Sequence, residues 1–271
     1  MQHYLRHIYY ALPLQYRKWA RRLYFLPKDL FKPTLSAIPP EGKNFTGSGD
    51  FINTGREFFK YFQDFNLINP DAQILEIGSG MGRMALPFKD YLSEKGHYTG
   101  IDIVEDGIVW CKTKITPGDT RFTYVHAPIY NTLYNPKSTI FTKDYKLPFP
   151  DGSLDFVFLT SVFTHLLPED VSHYFTEIYR VLKAGGNFFS TYFIIDENNP
   201  NTPALHFNYK IDNHYIINRN IPEANVGYTE KFLLDLYINN NFFVEKILLG
   251  SWSGRNSYTS FQDIIIAKKH D

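Results

Sequence analysis

Ile74-Leu75-Glu76-Ile77-Gly78-Ser79-Gly80-Met81-Gly82-Arg83 is the stretch on which the fold turns. Its first four residues read as a buried strand of a parallel sheet, and they run directly into a glycine turn and a helix-like segment. Glycine at such a turn lets bare backbone come up against a ligand. A second strand-like run, Tyr98-Thr99-Gly100-Ile101-Asp102-Ile103, ends on a carboxylate. That acid follows the turn by about 20 residues, the spacing at which a carboxylate can hold the two hydroxyls of a ribose. Together the two runs point to a nucleoside-containing cofactor.

The glycines fall at 78, 80 and 82, a G-x-G-x-G spacing, and Glu76 stands two residues before the first. A dinucleotide site would bring a pyrophosphate to this turn, which an adjacent acid repels. A ligand carrying an ammonium and a sulfonium would be attracted instead. The turn therefore favours S-adenosylmethionine (SAM) over NAD.

Strand-like runs at 73–77, 98–102, 122–125, 154–159 and 187–195 alternate with helical periodicity at 82–94, 107–114 and 168–182, after a first helix at 51–65. This alternation predicts an α/β fold, doubly wound and Rossmann-like, with a mostly parallel seven-stranded sheet. The ligand should sit at the carboxyl ends of the strands, where the strand order reverses. A last helix at 229–239 precedes two runs at 242–249 and 261–268, expected to add an antiparallel C-terminal hairpin to the sheet edge.

From about Phe45 to Lys269 the chain resembles a class I SAM-dependent methyltransferase. The resemblance is carried by Glu76-Ile-Gly-Ser-Gly-Met-Gly82, by Gly100-Ile-Asp-Ile103, by the run from Leu147 to Val157, by Ser161-Val-Phe-Thr-His-Leu166, and by the run from Glu177 to Gly186. It is similar to a bacterial subgroup with Ile108-x-Trp-Cys111, Tyr134-Asn-Pro136, Ser-Val-Phe-Thr-His and a late Gly250-Ser-Trp-Ser-Gly-Arg255 before Gln262-Asp263. The resemblance implies SAM as cofactor, held by Glu76, Gly78, Ser79, Gly80, Gly82, Arg83, Asp102 and Ile103, with Asp102 on the ribose. It also places Thr160 and Ser161 beside the methionine portion, or as turn formers. One position departs from the pattern: Pro128 falls where the family often has an Asp for the adenine amino group, leaving His126 or Asn131 as substitutes.

With 271 residues, 44% of them hydrophobic, the chain can bury a full core in one domain. Cys111 is the only cysteine. No internal disulfide can form and no Cys/His cluster has metal-ligand spacing, so a cytoplasmic protein that needs no metal is expected. The formal charge is zero, yet in residues 1–45 Arg6, Arg17, Lys18, Arg21, Arg22, Lys28, Lys32 and Lys43 face only Asp29 and Glu41. This basic N-terminal segment, expected to precede a methyltransferase domain over 46–271, interleaves its cations with Tyr, Leu and Trp, and Pro13 divides it into two helical pieces. Residues 1–31 could then lie peripherally on the inner membrane face, or pack on the catalytic domain or a partner subunit. No nucleic acid is expected as partner, since no comparable basic stripe follows.

Residues 196–228 are too long for an ordinary connection and read either as a cap over the acceptor or as a mobile surface loop; they carry His206, Tyr209, His214, Tyr215 and Arg219. His165, a short turn after the fourth strand, is the expected catalytic base for a neutral hydroxyl acceptor, with His206 and His214 in reserve. Its alternative is a histidine that only packs the next helix. Leu159-Thr-Ser-Val162 lacks the Asn/Asp-Pro-Pro-aromatic turn typical of DNA-base and glutamine amine methylation. Trp252 and Arg255 either meet a sugar or acidic group or pack the hairpin loop. The sequence thus predicts a methyltransferase acting on oxygen of a sugar, glycan or small molecule, the alternative being a non-catalytic SAM-binding module recruited to a membrane or complex.

Overall fold

The structure, a computed structural model, describes residues 14–31, 37–46, 49–198, 202 and 205–270. Pro13 and residues 1–12 lie outside the described residues. Seven strands form the main sheet: β1 (Gln73–Ile77), β2 (His97–Asp102), β3 (Phe122–His126), β4 (Leu154–Leu159), β5 (Leu182–Tyr192), β10 (Phe242–Leu248) and β11 (Asp263–Lys269). Their order is β10-β11-β5-β4-β1-β2-β3, all parallel except β11, which runs antiparallel to both β10 and β5. The chain steps outward from β1 to β3 and returns beside β1 as β4. The reversal therefore falls between β1 and β4, whose carboxyl ends open a crevice.

Both faces of the sheet are covered. On one, α2 (Phe51–Asp64) and α3 (Glu105–Trp110) pack with Phe62 wedged against Phe156, Phe158 and Phe189. On the other, α4 (Pro168–Val181) and α5 (Glu230–Asn239) pack with Phe175 against Phe188 and Tyr237. Asp50 caps α2 by accepting from Asn53 N at 2.8 Å, which satisfies one of the open amides of its first turn.

The helix expected at 82–94 does not form. Only a 3₁₀ turn, Leu86–Asp90, stands there. Pro87 withholds an N–H and its ring obstructs the carbonyl four residues earlier, which disfavours an uninterrupted α-helix there and leaves the short 3₁₀ turn with Pro87 in its first positions. α2 takes over the packing, with Phe59 edge-on to Phe88 and Tyr91. The helix expected at 107–114 starts at Glu105 and ends in a π-helical turn, Cys111–Ile115. The run expected at 187–195 starts earlier, at Leu182, and breaks at Phe193, so that Ile194–Ile195 (β6) joins a second sheet.

That second sheet is built largely from the insertion. β7 (Tyr209–Ile211), β8 (His214–Ile216) and β9 (Val226–Thr229) join β6 in the order β6-β9-β8-β7. Asp155 bridges strand starts, accepting from Gln73 N at 2.8 Å and Lys183 Nζ at 2.7 Å.

Trp252 and Arg255 serve the hairpin loop. Asp263 is 0% exposed and accepts from Gly250 N (2.7 Å), Ile194 N (2.8 Å), Trp252 Nε1 (2.6 Å) and Arg255 Nη1 (2.9 Å). One carboxylate thus ties the last hairpin to the second sheet. Asp263→Asn, which turns an acceptor into a donor facing N–H groups, is expected to cost about 1–3 kcal/mol, read as a lowered thermal midpoint.

Candidate functional site

The turn after β1 is bent by glycine. Gly78, Gly80 and Gly82 have φ of 83°, 55° and 81°, a region that residues with a Cβ rarely enter. Space forbids a Cβ as well: at Gly80 it would stand 2.2 Å from Thr46 Cγ2, and at Gly78 2.3 Å from Val162 Cγ2. The turn is docked on β2, because Gly78 N and Ser79 N both donate to Ile101 O, at 2.7 and 3.0 Å. Asp102 completes the cradle, accepting from Gly80 N at 2.6 Å and Val104 N at 2.7 Å. Burial pushes its carboxyl up to about 6, against the pull of those amides.

Glu76 lies beneath the turn, 1% exposed, with the Tyr98 hydroxyl donating to it. Burial raises its carboxyl to about 8, the Tyr98 bond and the nearby Arg83 guanidinium offsetting only part. A carboxyl raised on folding contributes stability that is full below about 4.5 and lost as pH climbs through about 8. The thermal midpoint of the ligand-free protein is therefore expected to fall between roughly pH 6 and 8 and to level off above that, and Glu76→Gln to lose most of that decline.

A cavity of about 1720 Å³ opens at the crevice. That exceeds the roughly 300–1,000 Å³ of a usual ligand pocket, so it has room for a cofactor and an acceptor together. Glu76, Gly78, Gly80, Arg83, Asp102, Ile103, Thr160, Ser161 and His165 all line it. Ser79 and Gly82 are not among the lining residues. Ser79 turns against Gly100, its buried Oγ without a hydrogen-bond partner among the described residues, and Gly82 packs on Cys111 and Ile115. Toward β4 and the second sheet the wall is Tyr130, Tyr134, Phe193, Leu205, Asn225, Phe261 and Gln262. Helix α1 (Leu14–Phe31) roofs the cavity with Arg17, Arg21, Phe25 and Asp29.

His165 ends a 3₁₀ turn, Phe163–His165, that the second sheet holds in place. The Tyr228 hydroxyl is shared between Phe163 O (2.7 Å) and Leu166 O (2.5 Å), and His165 Nδ1 meets Glu223 O at 2.9 Å. A carbonyl can only accept, so Nδ1 carries the proton and Nε2 is the basic nitrogen of the ring. Tyr134 stands edge-on to the imidazole at 5.6 Å. Neither reserve histidine lines the cavity: His206 is exposed, and His214 is buried with its pKa lowered by desolvation.

The adenine substitutes are engaged in bonds to the protein itself. His126 Nε2 approaches Ile103 O at 3.3 Å and its ring is not part of the wall. Asn131 lines the wall but gives Nδ2 to His165 O at 3.2 Å and takes the amides of Leu133 and Tyr134 on Oδ1. Ala127 and Ile129 leave that side apolar.

Several residues at the site escape sequence reasoning. Ser161, at φ 59°, donates Oγ to Gln262 Oε1 at 2.9 Å, and Thr191 Oγ1 donates to the same oxygen at 2.7 Å. This directs the Gln262 NH₂ away from both hydroxyls. Glu223 contributes through its backbone carbonyl, which no sequence pattern marks. Among the described residues, no three His, Cys, Asp or Glu side chains form a group that could hold a metal.

Residues 75–190 match a family model described as a methyltransferase domain. The likeness of fold extends beyond that segment: a SAM-dependent methyltransferase from Methanosarcina mazei superposes with a TM-score of 0.54 at 21% identity, over 77% of this chain and 97% of that one. The fold is that of a SAM-dependent methyltransferase. The cofactor of such a domain is SAM, and the cradle fits it: bare backbone at Gly78 and Gly80, with the two buried acids Glu76 and Asp102 beside a site for a cationic ligand. An arsenite methyltransferase from Mus musculus is 32% identical over 119 residues, 44% of this chain and 30% of that protein. A demethylmenaquinone methyltransferase from Listeria monocytogenes is 28% identical over 137 residues, 51% of this chain and 49% of its own. The matched region thus spans about half or less of these curated relatives.

Proposed function

We propose that the chain is a cytoplasmic SAM-dependent methyltransferase that methylates an oxygen of a hydroxylated acceptor, a sugar, glycan or small molecule. The observation that carries this reading is His165, fixed with Nε2 as its basic nitrogen in a cavity large enough for two ligands. Asp102 takes the ribose hydroxyls, Glu76 with Arg83 sets the charge beneath the methionine end, the backbone of Gly78 and Gly80 lets the cofactor approach, and Ile103 flanks the adenine. Ser79 and Gly82 shape the turn from behind. Thr160 and Ser161 border the methionine portion.

Bound there, SAM supplies an electrophilic methyl group. His165 Nε2 takes the proton of the acceptor hydroxyl as its oxygen attacks, and the imidazolium is held by the Glu223 carbonyl on Nδ1. Tyr134, Phe193 and Phe261 exclude water and offer faces to a ring, while Asn225 and Gln262 supply polar contacts. The wall's lysines and arginines come from residues 17–43, Arg83 and Lys114, none from the acceptor side, which suits an uncharged acceptor. The relatives named for arsenite and demethylmenaquinone match over only 30% and 49% of their own length, so their names do not transfer an acceptor. No nucleic acid is part of this reading, and peripheral contact with the inner membrane face through residues 1–31 is.

S-adenosylhomocysteine release measured across sugars, glycans and phenols tests it. Release with one class supports the enzyme and names its acceptor. A chain that binds SAM and releases nothing with any class is the non-catalytic module.

A further inference from the structure

We infer that the outer face of α1 is a membrane-binding surface, which lays the helix on an anionic phospholipid bilayer and sets the cavity roof at the headgroups. Tyr16, Trp19, Leu23, Leu26, Leu30 and Phe31 all point to solvent, Trp19 at 65%, Leu30 at 72% and Phe31 at 88% exposure. The first five follow one another by three and four residues, a single helical stripe. Burial of these side chains against the domain is excluded, because Arg17, Arg21, Phe25 and Asp29 occupy the inward face over the cavity. A helix normally turns its apolar face inward; this one is inverted.

The occupant follows from the width and the edges of the stripe. At 100° per residue the uncharged arc from Leu26 round to Tyr24 covers about 160°, far wider than the seam of a helix pair. Exposed Arg22 and Lys28, which also reach the cavity rim, border it on its two sides, Lys28 paired with Glu41. A broad apolar face with Trp and Tyr, edged by cations, is the composition of a helix lying in the interface of an anionic bilayer. Among the described residues no helix is long and apolar enough to cross a membrane, so α1 lies on the surface and does not span it.

The helix is also held in a fixed attitude to the site. Lys18 pairs with Asp106 at 2.8 Å, Lys28 with Glu41 at 2.8 Å, and Asp29 accepts the amides of Glu41 and Gly42 at 2.7 and 2.9 Å. A bilayer on one side of α1 therefore lies just across the helix from the cavity. Given the methyltransferase reading above, on which this step rests, the acceptor is one that resides in or at the bilayer.

Sedimentation of the full chain with vesicles tests the surface. Vesicles containing phosphatidylglycerol should carry the protein down, less so as salt rises, and pure phosphatidylcholine should carry less. Trp19→Glu/Leu23→Glu should cut partitioning by at least ~100-fold, about tenfold for each apolar side chain kept out of the interface, and leave SAM affinity in solution unchanged. Failure of the wild type to sediment, or sedimentation indifferent to the double substitution, overturns the inference. So does a dimer in light scattering that the double variant splits, since a second copy would then cover the stripe. SAM binding is measured without vesicles, so loss of either result leaves the other standing.

Discussion

His165→Ala is expected to lower turnover by about 10²-fold or more while SAM binds as before, the usual scale for losing a general base. The separation is the informative part. His165 reaches the site through a turn that Tyr228 and Glu223 of the second sheet fix, whereas the cradle is built by β1, β2 and their loops. A truncated imidazole removes the proton acceptor and leaves the cradle untouched. His165→Gln is the sharper variant, because its amide can still meet the Glu223 carbonyl but cannot take a proton. Turnover should stay low there as well. A histidine that merely packed the following helix would show the opposite pattern, near-normal turnover on Gln and a lowered thermal midpoint on Ala.

Asp102→Ala is expected to weaken SAM binding by about 1–3 kcal/mol, roughly 5- to 150-fold, through lost hydrogen bonds to a charged group. Two effects add. The ribose loses its acceptor, and the amides of Gly80 and Val104 lose the carboxylate that sets the turn. Asp102→Asn separates them, since its side-chain oxygen can keep one amide while the charge is gone. The wild-type carboxyl titrates near 6, so cofactor affinity should fall as pH drops through about 6 and stay flat over the same range in Asp102→Asn. Titration calorimetry at several pH values reads both outcomes.

The sheet was legible because its strands are continuous apolar runs bounded by turn residues. β1 at Gln73–Ile77 and β4 at Leu154–Leu159 match their expected bounds residue for residue. The 82–94 run carries helical periodicity, but Pro87 in its middle outweighs that pattern and leaves only the 3₁₀ turn. The second sheet was not legible, since β7 and β8 are three residues each and too short to show a period. At the site, spacing exposed the glycine turn and Asp102, but not that Asp102 itself pins the turn. Glu223 and Gln262 escaped for a different reason: one acts through its backbone and the other through contacts with β4 and β5, which only the tertiary fold creates. For Trp252 and Arg255 the sequence leaves ligand contact and hairpin packing open, and the bonds of both to Asp263 decide for packing.

Titration of the full chain with SAM in a calorimeter tests the central claim most directly. The account predicts saturable binding at one site per chain, weakened roughly 5- to 150-fold by Asp102→Ala and unchanged by His165→Ala. A folded wild-type chain that takes up no SAM would contradict it.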